Sequence, residues 1–331
     1  MEDDLDWEGD ILRRIGVITA GGDAPGMNAA IRAVVRTAIY HGLEVIGIER
    51  GYAGLIEGQM RPMDVRSVSG IINKGGTILK TARCPEFETY EGRRKAVRNL
   101  ERAGVEGLVI IGGDGSLHGL QLLDEEWGVP AIGVPATIDN DVPGTDYSIG
   151  FDTAVNTALE AIDRIRDTAE SHERIFVIEV MGRSKGFIAL EVAVGGGAEI
   201  VLLPEIPFDM GKVCEKLEEG RRRGKRSSIV VTAEGAARAE EVGMEIERNT
   251  GLPVRTAVLG HIQRGGTPTA FSRSLACRLG AAAVELLIRG EKGKMVGVVG
   301  GVIKASEVRE VLREEKRIDT ELYRVFEMLA I

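Results

Sequence analysis

Short β-branched runs alternate with amphipathic helical stretches along almost the whole chain, and this alternation limits the folds open to it more than any other feature. Ile15–Thr19, Val45–Ile48, Leu108–Ile111, Ala131–Val134, Ile175–Val180, Ile200–Leu203, Ile229–Thr232, Thr256–Leu259 and Val296–Val302 read as strands. Between them Ala29–His41, Gly92–Ala103, Val155–Glu170 and Arg273–Arg289 carry helical periodicity. Continuously apolar strands joined through helices make mainly parallel sheets covered on both faces, so the expected fold class is α/β. In such sheets ligands gather beyond the carboxyl ends of the strands. The length of 331 residues suggests two domains. No linker rich in Pro, Gly or Ser marks the boundary, and no tandem repeat is present.

Glycine falls where a site is expected. The chain has 44 glycines, about twice the average share of ~7%. They cluster at Gly21-Gly22, Gly112-Gly113, Gly195-Gly196-Gly197 and Gly265-Gly266, three of these clusters following strand ends at Ala20, Ile111 and Gly260. Such clusters permit tight turns and close approach of backbone to a ligand.

Four strand-to-turn junctions carry chemistry. Gly21-Gly22-Asp23-Ala24-Pro25-Gly26 precedes a helix starting near Met27. A glycine turn feeding a helix N-terminus presents N–H groups to an anion, although helix–strand packing selects glycine too. The Lys-Ser/Thr ending of a P-loop is missing. In Gly112-Gly113-Asp114-Gly115-Ser116 a carboxylate on a turn suits magnesium on a phosphate ester, against the plainer role of Ser116 as a helix cap. Diacylglycerol kinases and NAD kinases carry similar runs, which suggests a kinase without naming the acceptor. Pro135-Ala136-Thr137-Ile138-Asp139-Asn140-Asp141 offers two carboxylates that can divide general-base and metal-supporting work, or simply cap a polar turn. His261-Ile262-Gln263-Arg264-Gly265-Gly266, with Arg255 six residues before, suits a phosphate gripped by arginine. Met181-Gly182-Arg183 lies one turn beyond a strand.

Composition removes other classes. Net charge is −9, but Glu2, Asp3, Asp4, Asp6, Glu8 and Asp10 form an acidic leader, and without them 45 acids face 42 bases. Neither a nucleic-acid nor a membrane surface is expected. Arg221-Arg222-Arg223-Gly224-Lys225-Arg226 lacks interleaved aromatics and reads as a solvated helix end. Cys84, Cys214 and Cys277 are too scattered for a disulfide framework or zinc site. No apolar run approaches the ~20 residues that span a bilayer, and the leader lacks the apolar core of a signal peptide. A cytoplasmic location is expected.

Jointly, and in this order, residues 21–32, 112–116, 137–141, 181–183 and 260–266 resemble the 6-phosphofructokinase family over about Ile15 to Gly300. The resemblance implies two doubly wound, mainly parallel-sheet domains with the active site in the cleft between them. It places a nucleotide-binding domain at 1–150 plus about 263–313, and a sugar-phosphate-binding domain at 151–262 plus about 314–331. It implies transfer of the γ-phosphoryl of ATP to the 1-hydroxyl of fructose 6-phosphate with Mg2+. Asp139 would be the base and Asp114 the metal support. Thr137 and Asp141 would line the reacting phosphoryl group, and Arg83 and Arg183 would balance charge. Met181, Gly182 and Glu234 would hold the sugar, and Arg174, Arg255, His261 and Arg264 its 6-phosphate. Arg174 and Arg255 would come from a neighbouring subunit, which implies a homotetramer. The nucleotide would lie against Gly22, Arg83, Cys84, Gly113, Asp114, Gly115 and Ser116. Arg32, Arg36, Arg166, Glu199, Arg223 and Lys225 match the family's effector site, where Val65 replaces a frequent arginine. An effector site with altered ligand preference is expected.

Within the family Gly115 accompanies ATP, because a carboxylate there would crowd and repel the α-phosphate. Ala136 follows neither the glycine frequent in ATP enzymes nor the lysine of pyrophosphate enzymes, Lys80 stands where many bacterial members have glycine, and a pyrophosphate-dependent enzyme on the same sugar is the nearest rival. A catalytically silent sugar-phosphate sensor would lack the base, whereas Asp139 is present. A rival acceptor leaves Gly260–Gly266 and Met181–Arg183 without a role.

Overall fold

The computed structural model describes residues 12–330, so the six acids of the leader lie outside the described residues. The strands are β1 (Arg14–Thr19), β2 (Glu44–Ile48), β3 (Met60–Met63), β4 (Gly107–Gly112), β5 (Ala131–Thr137), β6 (Ile149–Gly150), β7 (Ile175–Val180), β8 (Ile200–Leu202), β9 (Ser228–Ala233), β10 (Val254–Val258), β11 (Lys294–Val299) and β12 (Val302–Glu307). The helices are α1 (Met27–Tyr40), α2 (Gly51–Glu57), α3 (Tyr90–Ala103), α4 (Asp114–Trp127), α5 (Phe151–His172), α6 (Phe187–Gly195), α7 (Met210–Arg222), α8 (Ala239–Thr250), α9 (Ala270–Ile288), α10 (Val308–Val311) and α11 (Thr320–Leu329). The chain forms two compact units. The larger comprises Met1–Thr137, Asp141–Asp152 and Arg264–Lys316, and the smaller Ile138–Asn140, Thr153–Gln263 and Arg317–Ile331.

The larger unit holds a sheet in the order β12-β11-β5-β4-β1-β2-β3, with β6 beside β5. Its pairs are parallel except β2–β3 and β11–β12. All six residues of β4 are buried, as expected of a strand covered on both faces. On one side Ile18, Tyr52, Leu55, Leu100, Leu108, Ile110, Leu117 and Leu120 form one apolar cluster. On the other, α1 and α9 approach so closely that a β-carbon on Gly280 would stand 2.9 Å from the Ala30 carbonyl oxygen. The smaller unit holds a parallel sheet in the order β10-β7-β9-β8, around Val177, Leu202, Leu217, Val230 and Ile246.

The mainly parallel α/β architecture matches the alternation in the sequence. Local chemistry bounds the helices. Thr89 accepts from Gly92 N–H at 3.0 Å, Asp209 from Gly211 N–H at 2.7 Å and Asp319 from Leu322 N–H at 2.9 Å. The strands depart from expectation in several places, among them β3, β6 and β12. The run Val296–Val302 is not one strand: Val296–Val299 ends β11, the chain reverses at Gly300 (φ 59°) and Gly301 (φ 80°), and Val302 opens the antiparallel β12. The edge strand β3 contains Arg61 and Pro62, so it lacks the composition of a central strand. Among the described residues no helix is long and apolar enough to cross a membrane.

Candidate active site

In the larger unit the carboxyl ends of β1, β4 and β5 carry Gly21-Gly22, Gly113–Ser116 and Thr137. β4 pairs with both β1 and β5, so the three turns are neighbours. Ser116 is 2% exposed and its Oγ has no hydrogen-bond partner among the described residues. A β-carbon on Gly21 would lie 3.1 Å from that oxygen, and one on Gly112 only 2.3 Å away. A buried hydroxyl without a partner costs free energy, which an arriving acceptor relieves. Tyr52 supports this turn from beneath, its buried hydroxyl donating to the Ser116 carbonyl at 2.6 Å. Burial pushes that phenol well above its ordinary range.

Asp114 opens α4, where a carboxylate suits the positive end of the helix dipole. Its side chain is 49% exposed, with His118 Nδ1 3.5 Å from Oδ2. The added β-carbon of Gly115 would meet nothing within 4 Å, and that of Gly113 would sit 3.4 Å from Thr137 Cβ. The loop before Arg83 is tied to β1: Thr19 Oγ1 donates to the Lys80 carbonyl at 2.8 Å and meets Thr77 Oγ1 at 2.9 Å. Thr81 donates to the Gly21 carbonyl, which brings the Thr81–Cys84 stretch to the glycine turn. Arg83 is exposed, whereas Cys84 is partly buried against the apolar cluster and burial raises its thiol pKa. Arg264, also in this unit, donates from Nη1 to the Asp23 carbonyl at 3.3 Å and lies over Gly22.

Beyond β5 the chain makes the turn that holds the paired carboxylates. Asp139 is 7% exposed, Asn140 takes a left-handed conformation (φ 54°) and Asp141 is half-buried. A partner not legible beforehand is Lys316, whose Nζ donates to the Asp146 carbonyl at 2.9 Å. Burial pushes its pKa down to about 8, against the opposing pull of Asp146 and Asp141.

In the smaller unit Met181, Gly182, Arg183, Glu234 and His261 all lie at or beyond the carboxyl ends of the adjacent strands β7, β9 and β10. Glu234 Oε1 accepts from Arg183 N–H at 2.7 Å and Gly182 N–H at 3.3 Å. Gln263 Oε1 accepts from Met181 N–H at 2.9 Å, a contact not legible in the sequence although Gln263 stands inside the 260–266 motif. Arg183 and His261 are exposed. Arg174 and Arg255 are not brought to this group. Arg174 precedes β7, and Arg255 is the second residue of β10, paired with Phe176. The six-residue β7 separates them from Met181 by about 20 Å at ~3.3 Å per residue.

Four residues of the expected effector site share the smaller unit. Lys225 Nζ is 2.7 Å from Glu199 Oε1, and Glu199 also accepts from the Ile229 N–H. Both line a cavity of about 580 Å³ together with Arg223, Lys212 and Lys216. Arg166 instead donates to the Gly196 and Gly197 carbonyls. Among the described residues no three His, Cys, Asp or Glu side chains group as a metal cluster.

A family model described as Phosphofructokinase matches residues 14–287. The ATP-dependent 6-phosphofructokinase 1 of Thermus thermophilus is 60% identical over 322 residues, which cover 97% of this chain and 100% of that protein. The ATP-dependent 6-phosphofructokinase of Halalkalibacterium halodurans is 55% identical over 320 residues, again 97% and 100% of the two chains. Among solved structures, phosphofructokinase from Saccharomyces cerevisiae superposes with a TM-score of 0.88 at 35% identity, over 96% of this chain and 48% of that one. Pyrophosphate-dependent phosphofructokinase from Marinobacter aquaeolei shares the fold, with a TM-score of 0.84 at 24% identity over 97% and 92%.

Proposed function

The chain belongs to the phosphofructokinase family, and we infer from that membership that it transfers the γ-phosphoryl group of ATP to the 1-hydroxyl of fructose 6-phosphate, giving fructose 1,6-bisphosphate. The observation that carries this reading is 60% identity along the full length of an ATP-dependent relative. The Ser116 hydroxyl among glycine turns, without a partner among the described residues, adds a physical reason to place phosphate there.

Phosphoryl transfer asks a protein for positioning and charge neutralisation more than for covalent chemistry. The triphosphate rests on the turns at Gly22 and at Gly113–Ser116, with Arg83 and Cys84 beside it. Asp139 takes the proton of the 1-hydroxyl as that oxygen attacks, while Thr137 and Asp141 line the phosphoryl group and Arg83 and Arg183 balance its charge. Met181, Gly182 and Glu234 hold the sugar. Glu234 gives one carboxylate oxygen to the turn backbone, which leaves the other for a hydroxyl. His261, Arg264, Arg174 and Arg255 hold the 6-phosphate.

Magnesium fits the residues present. Asp114 is a half-exposed carboxylate beside the phosphate turns, and the described residues offer no all-protein cage. Mg2+ is ordinarily held by one or two carboxylates with substrate phosphates and waters. When bound it would neutralise charge on the phosphates.

Arg174 and Arg255 lie at the amino ends of their strands, so their role requires a second subunit. β10 is an edge strand with Arg255, Thr256 and Val258 exposed, a surface suited to self-association. We assign a homotetramer acting in the cytoplasm. The cavity holding Glu199, Arg223 and Lys225 serves an effector, and sugar saturation curves unmoved by ADP and by phosphoenolpyruvate would refute that role. The test of the main reaction is a coupled assay offering ATP and pyrophosphate separately. Turnover with ATP alone is expected, and turnover with pyrophosphate alone would reverse the donor.

A further inference from the structure

Three consecutive backbone N–H groups of the Met181-Gly182-Arg183 turn are held by two side chains. Gln263 Oε1 accepts from Met181, and Glu234 Oε1 accepts from Gly182 and Arg183. The reason lies in the sheet. β7 runs between β10 and β9, and regular pairing ends with Leu259 N–H to the Glu179 carbonyl at 3.0 Å and Glu234 N–H to the Val180 carbonyl at 2.9 Å. Past those bonds the turn leaves the ladder, and side chains that follow the two flanking strands take over as acceptors. The turn needs restraint because Gly182 (φ 147°) and Arg183 (φ 57°) both lie at positive φ, a region a non-glycine residue such as Arg183 seldom adopts.

The two anchors differ in kind. Glu234 is exposed and already belongs to the sugar site, whereas Gln263 is completely buried. Its Nε2 has no hydrogen-bond partner among the described residues, so the carboxamide is not explained by a second internal bond. Its one bond goes to Met181, while its chain neighbours include His261 and Arg264. A single buried side chain therefore ties the segment assigned to the 6-phosphate to the turn assigned to the sugar ring and to transfer.

We propose that Gln263 is a positioning residue: its carboxamide oxygen fixes Met181, and through the turn Arg183, in register with the 6-phosphate grip. The proposal rests on the assignment of Met181, Arg183 and His261 to fructose 6-phosphate. A buried amide serving stability alone would change unfolding without separating the two substrates.

The test compares Gln263→Leu, which removes the acceptor, Gln263→Asn, which shortens its reach by one methylene, and Gln263→Glu, which keeps an oxygen at the same place. Steady-state kinetics with ATP and fructose 6-phosphate are read beside hydrogen exchange of the Met181 amide. Gln263→Asn and Gln263→Leu should raise KM for fructose 6-phosphate at least tenfold and lower kcat, with KM for ATP within about twofold of wild type. The Met181 amide should exchange at least tenfold faster in both, and Gln263→Glu should restore both readouts to within a fewfold. Both KM values within twofold of wild type in a folded Gln263→Asn would overturn the proposal, as would equal rises for both substrates. If Gln263→Leu does not fold, Asn and Glu decide. Lack of turnover by the wild type would refute the proposed function by itself. Exchange would then still decide whether Gln263 holds Met181, and unchanged exchange in Gln263→Asn would end the idea.

Discussion

The Arg264 guanidinium lies over Gly22, so that a β-carbon built on Gly22 would stand 2.3 Å from Nη1. A side chain assigned to the sugar's phosphate thus shares a cradle with a turn assigned to the nucleotide. The φ of Gly22 is not positive, so alanine suits the backbone, and the atom it meets is the far end of a flexible side chain. Gly22→Ala should therefore fold with little change in Tm, while its methyl fills space needed by phosphate and pushes Arg264 aside. The expected result is a rise in KM for ATP of about tenfold, equivalent to ~1.4 kcal/mol. Saturation kinetics together with a thermal melt would check it, and unaltered affinity for both substrates would contradict the shared cradle.

Asp139 is the group whose removal should separate chemistry from binding. A general base contributes about 10²- to 10⁴-fold to rate. Asp139→Ser should lower kcat within that span and leave KM for fructose 6-phosphate within a fewfold, because the sugar is held by other side chains. Steady-state kinetics with a direct binding titration measure both, and near-normal kcat would remove Asp139 from the role of base.

Gly115 tests donor choice without disturbing packing. Its added β-carbon would meet nothing within 4 Å, so Gly115→Asp should melt close to the wild type. A second carboxylate beside Asp114 would repel and crowd the nucleotide's α-phosphate. The expected outcome is a KM for ATP raised at least tenfold, equivalent to ~1.4 kcal/mol, with KM for the sugar little changed. An ATP affinity equal to wild type would show that the glycine does not select the donor.

Much of this was legible before any coordinates. Parallel strands and glycine turns follow from composition and spacing, because strands such as β4, buried throughout, impose apolar runs on the sequence, whereas the five ordered motifs gained their roles from resemblance to a known family. The hairpin β11–β12 was hidden because its two-residue turn, Gly300-Gly301, is flanked on both sides by valines, so that the whole stretch reads as one strand. Gln263, Tyr52 and Lys316 were missed for another reason. Each acts on backbone atoms of a distant segment, Met181 N–H, the Ser116 carbonyl and the Asp146 carbonyl respectively, and such partners leave no spacing in the sequence. Arg174 and Arg255 are the reverse case: the resemblance assigned them to the 6-phosphate of a neighbouring subunit's site, and within one chain both stand at the amino ends of β7 and β10, away from Met181.

That separation makes the shared-site reading open to a decisive mixing experiment. Arg255→Ala and Asp139→Ser should each be nearly inactive at low fructose 6-phosphate, for different reasons. In a hybrid pair of subunits, Asp139→Ser supplies an intact Arg255 to the neighbour's site, and the Arg255→Ala subunit supplies that site's intact Asp139. One of the two sites is then whole and the other doubly impaired. With random 1:1 association half the pairs are hybrid, so activity should return to about one quarter of wild type under two-fold pairing. If Arg255 instead served the site of its own chain, each hybrid site would carry one lesion and mixing would restore nothing. Dissociating and reassociating the two purified variants together, then assaying at low sugar, distinguishes the outcomes. Failure to regain activity despite verified hybrids would confine Arg255 to its own subunit and remove the functional reason for the assembly.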